Sequence, residues 1–341
     1  MKISGLWEIQ ILKCGKLFDS HIPQERSVTV NIIHYKYPDN IRLEHTAVAL
    51  GYFDGVHVGH RELISLMARE ARAKGLSPYV LTFADSLSKA KKKQSIIYNI
   101  DEKIKIFESL GVDGVIVADF ISVASLSPED FVRDVLIASF GAELALSGYN
   151  FRFGKGAVAD SSKLVELMEE MDKSAIVLSE QKINGKQLSA TVIRELLSEN
   201  RLDEATKMLG IPYSIEGKVE KGLGVGKVYG FPTINMPIRE SSPLSNGVYR
   251  TAVKIGEKLY TGITNVGTCP TVKEREIHAE TLIADFSGSL YGETIRIYFL
   301  GYLRPEKKFE SIEALREQIE LDKERSIKEN GDLKWLEHGL N

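Results

Sequence analysis

Gly51-Tyr-Phe-Asp-Gly-Val-His-Val-Gly-His60 follows the apolar stretch Thr46–Leu50 and runs into a segment whose apolar positions, Leu63, Ile64, Met67 and Ala71, recur at helical spacing. A strand therefore ends in a glycine-rich turn, and two imidazoles three residues apart, His57 and His60, stand where a helix begins. Free backbone N–H groups at a helix N-terminus favour anions. Glycines let that backbone approach a phosphate closely, and imidazole N–H groups can donate to the oxygens of a transferring phosphoryl group. The pattern points to nucleotidyl transfer from a nucleoside triphosphate. For an isolated His-x-Gly-His the plainer alternative is a tight turn with two surface histidines.

Working outward, short apolar runs alternate with helical patterns from Thr46 to Ser179. Strands are expected at Val48–Tyr52, Tyr79–Phe83, Gly114–Val117, Leu144–Ser147 and Ala175–Leu178. Between them, helices are expected near His60–Ala73, Asp101–Leu110, Pro128–Phe140 and Ser161–Met171, the third opened by a Ser127 cap, a first-position proline and early acids. Such alternation implies an α/β domain built on a parallel sheet with helices on both faces, whose ligands gather at the carboxyl ends of the strands. The character changes after Leu209-Gly-Ile-Pro212. Strand-like runs at Tyr213–Val219, Val248–Ile255, Leu259–Val266, Ile277–Ala284 and Thr294–Leu300 lie too close together for crossover helices. That implies an all-β domain, a small antiparallel barrel. A helical tail near Ser311–Lys328, with Ile312, Leu315, Ile319 and Asp322 in phase, is expected to pack on it. The expected division is an arm at 1–30, an α/β domain at 31–205 and a barrel domain at 206–341.

A chain of 341 residues has room for two such domains, and 43% hydrophobic with 27% charged residues is the composition of a globular protein. The net charge of −3 supplies no drive toward nucleic acid or anionic membrane. No apolar run approaches membrane-spanning length, and Met1–Lys16 lacks the apolar core of a signal peptide. Two cysteines, Cys14 and Cys269, form no metal or redox pair motif, which fits a reducing, cytoplasmic setting. The run Lys89-Ala-Lys-Lys-Lys93 reads as a solvated loop, with contact to nucleotide phosphates as a minor alternative.

Five motifs in register resemble the prokaryotic bifunctional riboflavin kinase/FMN adenylyltransferase family, also called FAD synthetase, over roughly residues 45 to 325. They are Gly51-x-Phe53-Asp54-Gly55-x-His57-x-Gly59-His60; Gly148-Tyr-Asn-Phe-Arg-Phe-Gly154; Ser189-Ala-Thr-Val-Ile-Arg194; Gly222-Leu-Gly-Val-Gly-Lys-Val-Tyr-Gly-Phe-Pro-Thr-Ile-Asn235; and Asn265–Thr271 followed by Ala279-Glu280 and Leu290-Tyr-Gly292. The resemblance implies riboflavin phosphorylation to FMN at the barrel and adenylylation of FMN to FAD at the α/β domain. ATP would be the co-substrate of both, with Mg²⁺ as cofactor. It implies small-molecule substrates, no nucleic-acid or membrane partner, and a monomer or weak homo-oligomer.

By that resemblance, His57 and His60 hold ATP phosphates, Arg194 is a cation near the leaving pyrophosphate, and Ser189 and Thr191 belong to the same site. Out of family context Arg194 reads as a helix-face partner of Glu195 or Glu199, and Asp54 as a turn-capping residue as readily as a substrate contact. Asn150, Phe151 and Arg152 would lie near flavin and nucleotide, with core packing the alternative for the phenylalanines. The series Gly222, Gly224, Gly226 and Lys227 is no Walker loop, because Lys221 stands at the expected glycine and Val228 at the required Ser or Thr. By resemblance it is a flap over nucleotide phosphates. Thr233 and Asn235, on alternate positions of an extended segment and so on one face, would bind Mg²⁺–ATP. Glu280 would be the general base for the riboflavin 5′-hydroxyl.

The chain departs from the family in four places. Thr82-Phe83-Ala84-Asp85-Ser86 replaces the common Pro-His-Pro, Ala190 a second hydroxyl residue, Cys269 an arginine and Leu282 a frequent histidine. The competing readings are a kinase with a degraded adenylyltransferase domain, and a non-catalytic flavin- or nucleotide-sensing protein.

Overall fold

The computed structural model describes residues 30–84, 95–183, 185–221, 231–268 and 277–338. The arm, the Lys89–Lys93 run, the glycine series with Lys227, and Cys269 lie outside the described residues. The first sheet takes β1 (Asn31–Tyr35), β2 (Thr46–Leu50), β3 (Ser77–Phe83), β4 (Gly114–Ala118) and β5 (Ala142–Gly148). After the hairpin β6 (Arg152–Phe153) and β7 (Ala159–Asp160) it adds β8 (Ser174–Leu178). These six strands lie in the order β1-β4-β3-β2-β5-β8, every pair parallel. Thr46–Leu50 and Gly114–Ala118 are buried at every position, as strands covered on both faces must be.

Helices α1 (Val58–Ala73), α2 (Ile100–Ser109), α3 (Phe120–Ala124), α4 and α5 (Ser161–Glu170) supply the cover. Helix α4 starts at Ser127-capped Pro128–Asp130 and widens into a π-helical coil over Phe131–Ser139, where Phe140 N donates to Val135 O at 3.1 Å. Asn99 caps α2 through a reciprocal box with Glu102. Strand order reverses between β2 and β5, so the carboxyl end of β2 opens on a crevice.

The expected α/β architecture is present, with further elements that the sequence reading did not mark, among them β1, the β9–β10 hairpin, α6 and α7. Strand β1 sits at an edge and is mostly exposed, so it lacks a buried strand's apolar run. The hairpin β9 (Lys182–Ile183) and β10 (Lys186–Gln187) is too short to show periodicity. Helices α6 (Ala190–Ser198) and α7 (Leu202–Leu209) are short, and α6 opens on the β-branched run Thr191-Val-Ile193.

The second sheet joins β11 (Ser214–Lys218), β12 (Thr233–Ile238), β13 (Gly247–Ile255), β14 (Lys258–Thr268), β15 (Ile277–Ile283) and β16 (Thr294–Arg304). Its order is β11-β16-β13-β14-β15-β12, antiparallel throughout. The Glu220–Asn235 bridge draws its two edges together into a near-barrel. Helix α8 (Ile312–Asn330) packs on β13 and β14, followed by α9 (Lys334–His338). Of the four in-phase positions Ile312 is exposed and Asp322 is buried, and Ser326 and Asn330 are buried with it. Ser326 Oγ donates to Gly262 O at 2.9 Å and Asn330 Nδ2 to Thr251 O at 3.0 Å. One apolar core runs through both halves by way of Ile193, Leu197, Leu202, Met208 and Leu209.

Candidate active sites

The turn after β2 is built by left-handed backbone at Phe53 (φ 53°), Gly55 (φ 75°) and Val56 (φ 38°). Val56, being β-branched, is strained there, a feature of backbone over-determined by its surroundings. At Gly55 a Cβ would also meet Ile97 Cδ1 at 2.8 Å. This tight path delivers His57 to the N-cap of α1, where its Nδ1 accepts the His60 N–H at 3.3 Å. An accepting Nδ1 places the ring proton on Nε2, which is left to donate.

The His57 and His60 rings stack, centroids 3.5 Å apart and planes 16° from parallel. Phe53 lies edge-on to His60 at 5.1 Å and to Phe107 at 5.7 Å. At 2% exposure it belongs to the core and supports the His60 ring from beneath. Burial pushes His57 down to about 4. His60 is held well below the ordinary value, by burial first and then by the His57 and Lys103 charges. Both imidazoles are therefore neutral at pH 7. His60 Nδ1 is buried without a hydrogen-bond partner among the described residues.

Asp54 makes neither a cap for α1 nor a plain turn contact. Its Oδ1 accepts the Ile97 N–H at 3.1 Å and its Oδ2 accepts from Arg194 Nη1 at 2.5 Å. Burial raises the Asp54 carboxyl pKa, opposed chiefly by the Arg194 charge. Arg194 also donates to Thr191 Oγ1 at 3.2 Å, so its ionic partner is Asp54 rather than Glu195 or Glu199. Ser189 caps α6 by accepting the Val192 N–H at 3.3 Å. Gly51 directly follows β2 and Gly59 lies in the first turn of α1.

The adjacent strand β5 ends in the second motif. Asn150 and Arg152 are exposed there, the latter facing Asp160 at 3.5 Å. Phe151 stacks on Phe153 at 5.6 Å, and Phe153 is buried against Phe131. One phenylalanine is thus core and the other half-buried beside the crevice.

In the barrel the site is assembled by register. Glu280 on β15 stands opposite Asn235 on β12 and Asn265 on β14. Directly opposed residues share a face, so three polar side chains form one row. Thr233 Oγ1 donates to Glu280 Oε1 at 2.7 Å. A cavity of about 340 Å³ opens in front of this row, lined by Thr233, Asn265, Glu280 and Leu282 on the sheet and by Leu315 and Ile319 on α8. Its volume suits a ring-system ligand. Asn265 Nδ2 donates to Glu306 Oε1 at 3.1 Å, while its Oδ1 is buried without a partner among the described residues. Arg304 closes the far wall, held by Asp322 at 2.8 Å. Sequence reasoning did not single out Asn265, Arg304 or Glu306, although Asn265 heads one of the quoted motifs.

A family model described as riboflavin kinase matches residues 209–329, and one described as FAD synthetase matches residues 39–192. A bifunctional riboflavin kinase/FMN adenylyltransferase of Bacillus subtilis (strain 168) is 33% identical over 310 residues, covering 87% of this chain and 97% of that protein. The chain belongs to this family. The protein of the same description from Buchnera aphidicola subsp. Schizaphis graminum is 33% identical over 291 residues, 81% of this chain and 91% of its own length. Among solved structures, a Streptococcus pneumoniae protein named as a macrolide-efflux protein superposes with a TM-score of 0.78 at 28% identity, over 89% of this chain and all of that one. No helix among the described residues is long and apolar enough to cross a membrane. Every proposed site residue of the α/β half except Arg194 falls inside the FAD synthetase match, and Arg194 lies just beyond its end.

Proposed function

We propose that this enzyme phosphorylates riboflavin to FMN on the barrel and adenylylates FMN to FAD on the α/β domain. The observation that carries this reading is that the stacked His57–His60 pair and the Thr233–Glu280 pair each lie inside the match to the corresponding family model. In the first reaction Glu280 accepts the proton of the riboflavin 5′-hydroxyl while that oxygen attacks the γ-phosphorus of ATP and ADP leaves. Thr233 holds Glu280 in the orientation that leaves its second oxygen for substrate. The flavin ring occupies the cavity between the sheet and α8, against Leu282 and Ile319.

Thr233 and Asn235 are oxygen donors on one face of β12, which suits Mg²⁺ shared with substrate phosphates. When bound, the ion would neutralise charge developing on the transferring phosphoryl group. By the same reading Gly222, Gly224, Gly226 and Lys227 would contact these phosphates.

In the second reaction an FMN phosphate oxygen attacks the α-phosphorus of ATP, forming the new phosphoanhydride as pyrophosphate leaves. Positioning and charge stabilisation supply most of such an acceleration. His57 and His60, neutral before substrate arrives, donate N–H groups to phosphate oxygens from the N-terminus of α1. Arg194, held by Asp54, supplies a cation for the leaving pyrophosphate, with Thr191 beside it. Gly51, Gly59 and Asn150 line the crevice, and Phe151 stacks near the flavin. A cytoplasmic setting, supported by the paucity of cysteines, belongs to the same reading, as does a monomeric or weakly self-associating state.

The test is incubation with riboflavin, ATP and Mg²⁺ followed by chromatographic separation of flavins. FMN and then FAD are expected in sequence. FMN alone would leave only the kinase half of the proposal, and neither product would overturn it.

A further inference from the structure

Asp54 is linked to the kinase half through one intermediate residue. Its carboxylate accepts the Ile97 N–H, and the Ile97 carbonyl accepts from Arg239 Nη2 at 2.8 Å. Arg239 follows directly on β12, the strand that carries Thr233 and Asn235. Its other arm, Nη1, donates to Glu102 Oε2 at 2.6 Å, and the same carboxylate oxygen accepts the Asn99 N–H at 2.7 Å in the cap of α2. The fork therefore grips the start of α2 and the peptide before it at once, a geometry that a guanidinium provides and a single ammonium does not.

A second strand of contact pins the same segment, for Ile96 N donates to Ser241 O at 2.8 Å. These contacts are largely shielded: Ile97 is fully buried, and the Arg239 and Glu102 side chains are 25% and 13% exposed. Ile97 also packs where a Cβ at Gly55 would lie, so its position sets the histidine turn sterically as well as through Asp54.

We propose that Arg239, a residue of the kinase half, is a positioning residue for adenylyl transfer in the other half. It fixes residue Ile97, against whose N–H Asp54, and through Asp54 the Arg194 guanidinium, is set. The inference rests on the reading of the α/β crevice as the adenylyl-transfer site. It makes that site a product of both domains, and it gives the shared core between them a catalytic consequence.

The experiment uses the full chain and measures two activities in one preparation: FMN to FAD with FMN supplied, and riboflavin to FMN. In R239M, kcat for adenylyl transfer is expected to fall about tenfold to a hundredfold, the penalty of a misplaced catalytic group. Riboflavin phosphorylation should stay within about twofold, because Arg239 touches no part of the barrel cavity. Unchanged adenylyl transfer, or equal proportional loss of both activities, would overturn the proposal. R239Q, which keeps one donor amide and loses the fork, carries the same comparison should R239M not be recovered folded.

A cycle with D54N tests the route. Combined loss no greater than that of D54N alone is expected if Arg239 acts through Asp54, and multiplied losses would exclude that route. Wild-type protein that makes no FAD removes the underlying reading. Wild-type protein that does, beside an indifferent R239M, removes this proposal alone.

Discussion

The two sites of this chain are built by opposite means. The histidine turn of the α/β site is a local object: ten consecutive residues turn through three left-handed positions and present two stacked, neutral imidazoles, His57 buried, at a helix start. The barrel site is a non-local one, where residues from β12, β14 and β15 and a tail helix meet around a cavity of about 340 Å³. In the first, function hangs on desolvation and backbone strain. In the second it hangs on register, since a one-residue slip of β15 would turn Glu280 away from Thr233. A buried dipole array and a cavity-facing carboxylate should accordingly fail in different ways.

The largest expected effect comes from the carboxylate. Glu280→Gln should lower riboflavin phosphorylation by about 10²- to 10⁴-fold, the usual contribution of a general base. FAD formation from supplied FMN should be untouched, and steady-state rates on the two substrates measure both. A comparable loss in each reaction would mean that the sites are not separate. The reciprocal change is His57→Ala, expected to cut adenylyl transfer by about 10²- to 10³-fold as one preorganised donor is removed. Kinase turnover should hold, measured by the same pair of assays.

The contrast also explains what could be read from the chain in advance. The His57–His60 turn was legible because its glycines, imidazoles and following helical stripe are contiguous. The alternating strands and helices and the run of close strands carried the architecture for the same reason. Glu280 and Thr233 were found only through family motifs, since 47 residues separate them and no local periodicity says that their strands pair. The partner of Arg194 was misread from its helix neighbours because Asp54 lies 140 residues away. The tail helix was placed correctly and its buried Asp322 stood in the expected phase, but Ser326 and Asn330 were not marked, for they are buried by hydrogen bonds to strand carbonyls that no apolar pattern can announce. Arg239 carries no motif at all.

Acid should expose the first site before the second. Burial lowers His57 from 6.5 to about 4. Between those values the unfolded chain binds a proton that the folded chain does not, so stability rises with pH across this window. The contribution is fully present above pH 6.5 and is lost as pH falls toward 4. Its size is about 3 kcal/mol at about 1.4 kcal/mol per unit of pKa. His60 acts in the same direction. Asp54, with its carboxyl raised by burial, works in the opposite sense in the range just above 3.8. Urea unfolding from pH 7 to pH 4.5 should show a shallower decline in His57→Asn than in the native sequence. Superimposable curves would mean that His57 is not held neutral.

The smallest effect separates two roles assigned to one hydroxyl in the barrel. Thr233 donates to Glu280 and is also placed to bind Mg²⁺–ATP. Thr233→Val keeps the shape and removes the oxygen. If the hydroxyl acts only by aiming Glu280, kcat for the kinase should fall about tenfold, the equivalent of about 1.4 kcal/mol and of one hydrogen bond to a charged group. The Mg²⁺ concentration giving half-maximal rate would then stay where it was. If the hydroxyl also ligates the ion, that midpoint should move upward together with the KM for ATP. A Mg²⁺ titration at saturating riboflavin reads the two apart. The adenylyl-transfer rate serves as the internal standard, because its site takes no ligand from β12. Its independence of Thr233, set beside its dependence on Arg239 at the end of the same strand, would show that the barrel supports the neighbouring site through backbone placement and not through its own catalytic groups.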